Sequence, residues 1–182
     1  MHQFIFCLLV MVGFSCVKAK PSGNSTSAFI DTSSSTGGDS MRYYLALGDS
    51  YTIGQSVSEM ERFPMQTALV LKQQGMKMSN PVYIAQTGWT TTNLQQAIQG
   101  QNLSKFDVVT LLIGVNDQYQ WVDTNTYAIR FTQLLEKAIQ LANAKKTNVF
   151  VLSIPDYSVT PFVAPVDKSR ISAEIDWFNT NQ

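Results

Sequence analysis

The sequence predicts a doubly wound α/β domain, and three observations carry that expectation. Short apolar or β-branched runs recur at residues 43–47, 82–85, 108–113 and 149–154. Each run is continuous rather than alternating, as strands buried on both faces are. The stretches between them repeat apolar residues at helical spacing. A β-α-β-α-β-α-β order of this kind implies a parallel sheet with helices on both sides.

The elements follow in order. Turn residues bound each strand candidate. A helix over 64–74 ends at Gly75, and one over 92–99 ends at Gly100, glycine being a frequent residue just past a helix end. The clearest helix covers 124–144. There Tyr127, Phe131, Leu134, Leu135, Ala138 and the pair Leu141/Ala142 keep i, i+3, i+4, i+7 spacing, and Asp123 or Thr124 can cap its start. Ile171, Ile175 and Phe178 repeat that spacing in a last helix from near Ser169. Such a helix normally feeds another parallel strand and none follows, so the expectation is a chain cut short, with the fourth strand's side of the sheet open. There is no internal repeat.

Residues 1–40 stand apart from this domain. Phe4 to Phe14 is an uncharged apolar run. At about 1.5 Å per residue it cannot cross a hydrocarbon core about 30 Å thick. Residues 1–20 therefore read as a secretory signal peptide, although Met1-His2-Gln3 supplies no Lys or Arg. Two exits stay open. Val17-Lys18-Ala19 has the small-residue pattern of ordinary cleavage, and Gly13-Phe14-Ser15-Cys16 resembles a loose bacterial lipobox with Cys16 as the lipid attachment residue. Residues 21–40, rich in Ser, Thr and Gly, read as a flexible tether. The folded domain is then 41–182, exported to the bacterial cell envelope as a lipoprotein or secreted.

Composition removes several function classes. Thirteen basic and thirteen acidic side chains cancel, and no basic run exceeds Lys145-Lys146. A nucleic-acid binder needs a basic face to replace phosphate counterions. The only cysteines are Cys7 and Cys16 and the only histidine is His2. The domain therefore offers no thiol nucleophile, no disulfide, no zinc site of the His- or Cys-rich kind and no complete Ser–His–Asp relay. No Gly-x-Gly-x-x-Gly or Walker pattern supports a flavin or nucleotide site.

The strand ends carry the chemistry. Ligands of open parallel sheets bind outside the carboxyl ends of the strands. Strand one ends in Gly48-Asp49-Ser50-Tyr51, strand two is followed by Thr87-Gly88-Trp89-Thr90, strand three ends in Gly114-Val115-Asn116-Asp117, and strand four runs into Pro155-Asp156-Tyr157. Acyl transfer needs a nucleophilic oxygen, donors aimed at a developing oxyanion, and a base. Ser50 offers a hydroxyl and a backbone N–H, Gly88 an N–H with no side chain in the way, and Asn116 an uncharged amide donor. Taken singly, Gly-Asp-Ser, Gly88 and Asn116-Asp117 each read as turn or cap residues. Their order on successive strand ends favours the site.

These residues resemble a family. Ala46-Leu47-Gly48-Asp49-Ser50-Tyr51-Thr52-Ile53-Gly54 is similar to the first block of the SGNH, or GDSL-type, hydrolases, Thr87-Gly88-Trp89-Thr90-Thr91 to the second, and Leu112-Ile113-Gly114-Val115-Asn116-Asp117 to the third. The resemblance spans about Arg42 to Phe178. It implies a three-layer α/β/α, flavodoxin-like sheet, and ester hydrolysis with neither metal nor cofactor. It further implies Ser50 as catalytic nucleophile, with Ser50 and Gly88 N–H groups and the Asn116 amide as oxyanion hole. Gln86 departs from the Asn common in the second block. The family's last strand and Asp-x-x-His block, which supplies base and orienting acid, are missing. Asp49, Asp117 and Asp156 lie near the strand ends, but a carboxylate replaces imidazole at neutral pH only after a large pKa shift. The 182-residue chain is therefore expected to show little or no esterase activity.

The substrate expectation is a small acyl ester: a lysophospholipid, an O-acetyl sugar, a short-chain ester or a thioester. Trp89, Tyr119 and Trp121 either stack on such a ligand or cover the sheet's helices. The polar connection from Thr52 to Arg62 is a candidate rim. The rival from another class is a non-catalytic, envelope-anchored binding module on the same fold.

Overall fold

The computed structural model describes residues 40–182. The expected signal peptide (1–20), Cys16 and the expected tether up to residue 39 lie outside the described residues. Strands β1 (Tyr44–Gly48), β2 (Val82–Ala85), β3 (Val108–Leu112) and β4 (Val149–Val151) form one parallel sheet in the order β2-β1-β3-β4. The helices are α1 (Ser50–Ile53), α2 (Phe63–Gln73), α3 (Thr91–Gln99), α4 (Val115–Tyr119), α5 (Thr124–Leu141) and α6 (Lys168–Thr180).

Alternation along β1 divides the core into two layers. Leu45 and Leu47 join a large cluster with Leu94 and Ile98 of α3, Tyr127, Phe131 and Leu134 of α5, and Ile171, Ile175 and Phe178 of α6. The Tyr127 and Phe178 rings approach to 4.3 Å between centroids. Tyr44 and Ala46 face the opposite way, against Ala68 and Leu71 of α2 and Met78. Each large side chain so buried contributes about 1.5–3 kcal/mol. Helices thus flank the sheet on both sides, in the α/β/α arrangement. On the α2 side Phe150 of β4, paired with Thr110, remains 51% exposed.

The spacing of apolar residues located the four strands and the four longer helices. It did not show α1 or α4, which are too short to display a period. Two boundaries differ instructively. Helix α5 ends at Leu141 rather than 144, because Asn143 and Ala144 both adopt positive φ. Strand β4 stops at Val151 rather than 154. Beyond it, Leu152 still donates to Leu111 at 3.0 Å, and the Asn179 side chain then takes both polar groups of Ile154. Its Oδ1 accepts from the Ile154 N–H at 2.8 Å, and its Nδ2 donates to the Ile154 carbonyl at 3.1 Å. A helix side chain does there what a neighbouring strand would do.

Candidate active site

Register places the predicted site residues side by side. Gly48, the last residue of the central strand β1, pairs with Ala85 of β2 and with Leu112 of β3. Ser50, Gly88 and Asn116 follow these three residues by two, three and four positions. They therefore emerge at the same end of three adjacent strands.

Ser50 opens α1, with Asp49 as its N-cap. Asp49 Oδ1 accepts from the Tyr51 N–H at 3.0 Å, which fixes the turn that carries Ser50. The Ser50 N–H, in the first position of a helix, has no intrahelical acceptor. Gly48 permits the tight exit from β1, since a Cβ there would lie 2.1 Å from Thr52 Oγ1 and 2.3 Å from the Leu112 carbonyl oxygen. Gly88 has φ +80° and open space where a Cβ would project. Its requirement for glycine is conformational, with nothing on that side to block an approaching ligand.

Helix α4 and its C-cap residue Gln120 hold the Gly88 turn through three side chains. Asn116 Nδ2 donates to the Trp89 carbonyl at 3.0 Å, and Gln120 Nε2 donates to the Gly88 carbonyl at 3.2 Å. Asp117 accepts from the N–H and hydroxyl of Thr91, just beyond that turn. From the other side, Thr87 Oγ1 donates to Gln55 Oε1 at 3.1 Å. An amide NH₂ has two hydrogens, so Asn116 retains one after bonding to Trp89. Gln120 and Thr91 were not legible as site residues. The i, i+4 spacing of Asn116 and Gln120 was visible, but nothing in it names the loop they grip.

The carboxylates resolve differently. Asp49 is fully buried, and burial pushes it up to about 7, against the restraining Tyr51 N–H bond. Its Oδ2 and the Thr52 hydroxyl are buried with no hydrogen-bond partner. Asp49 thus has the raised pKa a base would need, yet neither oxygen bonds the Ser50 hydroxyl: one caps α1 and the other faces the core. Asp117 is also buried and shifted upward, burial being the main cause, and Thr91 occupies it. Asp156 caps its own turn, accepting from the Ser158 N–H at 2.8 Å and the Ser172 hydroxyl at 2.8 Å. No histidine stands among the described residues. Of the aromatic candidates, Trp89 packs half-buried against the core, whereas Tyr119 and Trp121 are exposed. Among the described residues no group of three or more His, Cys, Asp or Glu side chains is placed to hold a metal ion.

Sequence comparison decides the family. A model of the GDSL-like lipase/acylhydrolase family matches residues 46–182, three quarters of the chain. The chain belongs to that family. Its members are ester-hydrolysing enzymes, and the three strand-end blocks of this chain lie within the matched region. A search of curated proteins returned no match. Among solved structures, similar folds include AlinE4, an SGNH-hydrolase family esterase, at 19% identity over 75% of this chain and 74% of the other, with a TM-score of 0.54. The lipase Lip_vut3 from a goat rumen metagenome is 18% identical over 75% and 73%, at 0.52. TesA is 17% identical over 76% and 75%, at 0.51. These likenesses establish the SGNH-hydrolase fold.

Proposed function

We propose that this GDSL-like domain is built to cleave small acyl esters with Ser50 as nucleophile. The observation that carries the reading is the meeting of Ser50, Gly88 and Asn116 at three adjacent strand ends, with α4 clamping the Gly88 turn. The Ser50 Oγ attacks the acyl carbonyl carbon, and the carbonyl π pair moves onto oxygen. The Ser50 N–H, the Gly88 N–H and the free Asn116 amide hydrogen stabilise that oxyanion. Collapse of the tetrahedral species expels the alcohol and leaves an acyl-serine, which water later opens. Both halves need a group to take and return the serine proton, and residues 41–182 contain no imidazole to do so. A polypeptide of these residues alone is expected to turn over slowly, from oxyanion stabilisation and binding. The apolar leader and Cys16 add to this proposal an exported domain at the bacterial envelope.

The carboxylates near the strand ends favour a second reading, a binding module on the same fold, because Asp49, Asp117 and Asp156 accept from Tyr51, Thr91 and Ser158 with Ser172 rather than from the Ser50 hydroxyl. One experiment separates them. The 182-residue chain and its Ser50→Ala variant are assayed with p-nitrophenyl acetate, with and without added imidazole. Rescue that requires Ser50 supports the nucleophile. Equal rates in both proteins at every imidazole concentration would leave the binding module.

A further inference from the structure

The four most exposed large apolar side chains of the described residues are Val166 (87%), Val159 (72%), Phe162 (72%) and Trp121 (70%). Three belong to the connection from β4 to α6, and the fourth stacks under Arg170 of α6, 4.9 Å from guanidinium carbon to ring centroid. Single exposed apolar residues are ordinary, whereas three within eight positions of one loop are a concentration of the kind that marks an interaction surface.

The local sequence shapes this surface. From Tyr157 to Val166 there is no charged residue. Ser158 and Val163 are buried and anchor the segment, and Pro161 and Pro165 limit the backbone freedom of its tip. Internal bonds run from the Thr160 hydroxyl to the Tyr157 carbonyl at 2.7 Å and from the Asp167 N–H to the Ala164 carbonyl at 3.0 Å. Phe162 leans on Tyr119 and Tyr157, with ring centroids 6.1 and 6.4 Å away. The Tyr157 hydroxyl is turned inward onto Gln118 at 2.7 Å. Val159, Phe162 and Val166 are thus exposed along one braced loop; Tyr119 packs on Phe162, and Trp121 stacks on Arg170 in the first turn of α6, which the loop enters.

We propose that this loop inserts into the interfacial region of a phospholipid bilayer. A protein partner of ordinary stability needs about 800 Å² of fitted surface on each side. The ten residues from Tyr157 to Val166 fall well short of the roughly 20–30 residues a side that such an interface takes, whereas a fluid lipid phase accepts a short loop without shape complementarity. The mixture fits that phase: aliphatic side chains and Phe at the tip, Trp and Tyr at the flank where an apolar body and a polar edge meet headgroups. Arg170, the cation stacked on Trp121, is paired with Asp167 at 3.1 Å and Glu174 at 2.9 Å, and Lys168 stands at the start of α6 beside Val159. One lysine beside an uncharged run of ten residues makes apolar insertion the larger contribution, with Lys168 at headgroup level. The loop follows a strand end, as Ser50, Gly88 and Asn116 do, so insertion turns that edge of the sheet toward lipid. The proposal does not rest on catalysis.

The test uses the full chain and phosphatidylcholine vesicles with brominated acyl chains. Tryptophans occur only at 89, 121 and 177, so none lies in the apolar leader, and the difference between the chain and its Trp121→Phe variant isolates the Trp121 signal. That signal is expected to be quenched by the vesicles. The quenching should persist in about 1 M NaCl, where screening acts within about 3 Å. It should fall by about tenfold or more in Phe162→Asp/Val166→Asp, whose exposed sites leave the melting temperature unchanged. Absence of Trp121 quenching overturns the proposal. So does quenching that requires anionic lipid and disappears in salt, or a dimer in vesicle-free solution that Phe162→Asp/Val166→Asp abolishes.

Discussion

Thr91 gives both its backbone N–H and its hydroxyl to one carboxylate, that of Asp117, at 2.9 and 2.6 Å. Both residues are buried, and the pair fastens the start of α3 to α4 directly beside Asn116. Asp117→Asn keeps the shape but turns one acceptor into a donor facing a donor. The expected loss is about 2–4 kcal/mol, read as a lower urea midpoint with an unchanged slope. Thr91→Val, which removes only the hydroxyl bond, is expected to cost about half as much. Midpoints equal to that of the parent chain would show that the tie holds nothing.

The pH dependence of stability has a definite sign. Burial raises Asp49 to about 7, and burial also raises Asp117. Between about pH 4 and 7 the folded chain therefore holds a proton that the unfolded chain has released. This contribution is fullest below about pH 4 and is lost as pH rises through 7. Hydrogen bonds to the backbone lower Asp123, and Ser58 lowers Glu61, so these two act in the opposite sense at acid pH. Melting scans are expected to give a higher midpoint near pH 5.5 than near pH 8, and Asp49→Asn should flatten that decline. A midpoint rising with pH across this window would contradict the burial of Asp49.

Gly114 and Gly75 both have positive φ, at +134° and +89°. At Gly75 a Cβ meets nothing within 4 Å, whereas at Gly114 it would sit 2.8 Å from the Tyr127 hydroxyl oxygen. Gly75→Ala is expected to cost about 1–2 kcal/mol, the ordinary penalty of left-handed backbone. Gly114→Ala adds overpacking against a buried ring and should cost about 1–3 kcal/mol more. Comparable unfolding midpoints for the two variants would refute the crowding at Tyr127.

The sequence made the sheet legible because its strands are uniformly apolar and its helices, α5 above all, are strongly periodic. Ser50, Gly88 and Asn116 could be placed at neighbouring strand ends because each sits just past such a run, where the topology sets their position. What stayed hidden depends on side-chain direction. Asp117 stood among the carboxylates near the strand ends, yet its oxygens turn inward to Thr91. Asp49 looked too acidic to matter, and only full burial reveals its upward shift. Gln120, at the end of α4, and Asn179, within α6, are ordinary polar residues, and their backbone partners lie 32 and 25 positions away.

The grip of Asn179 on Ile154 has a consequence for how the chain opens. Its two bonds tie the last helix to the segment beyond β4 across 25 positions. Ile154 is buried, so α6 cannot lift away without leaving a buried N–H and a buried carbonyl unpaired. Sheet end and helix therefore open together or not at all. Asn179→Ala would uncouple them, and its first symptom would be faster exchange of the Ile154 amide hydrogen rather than any change at Ser50.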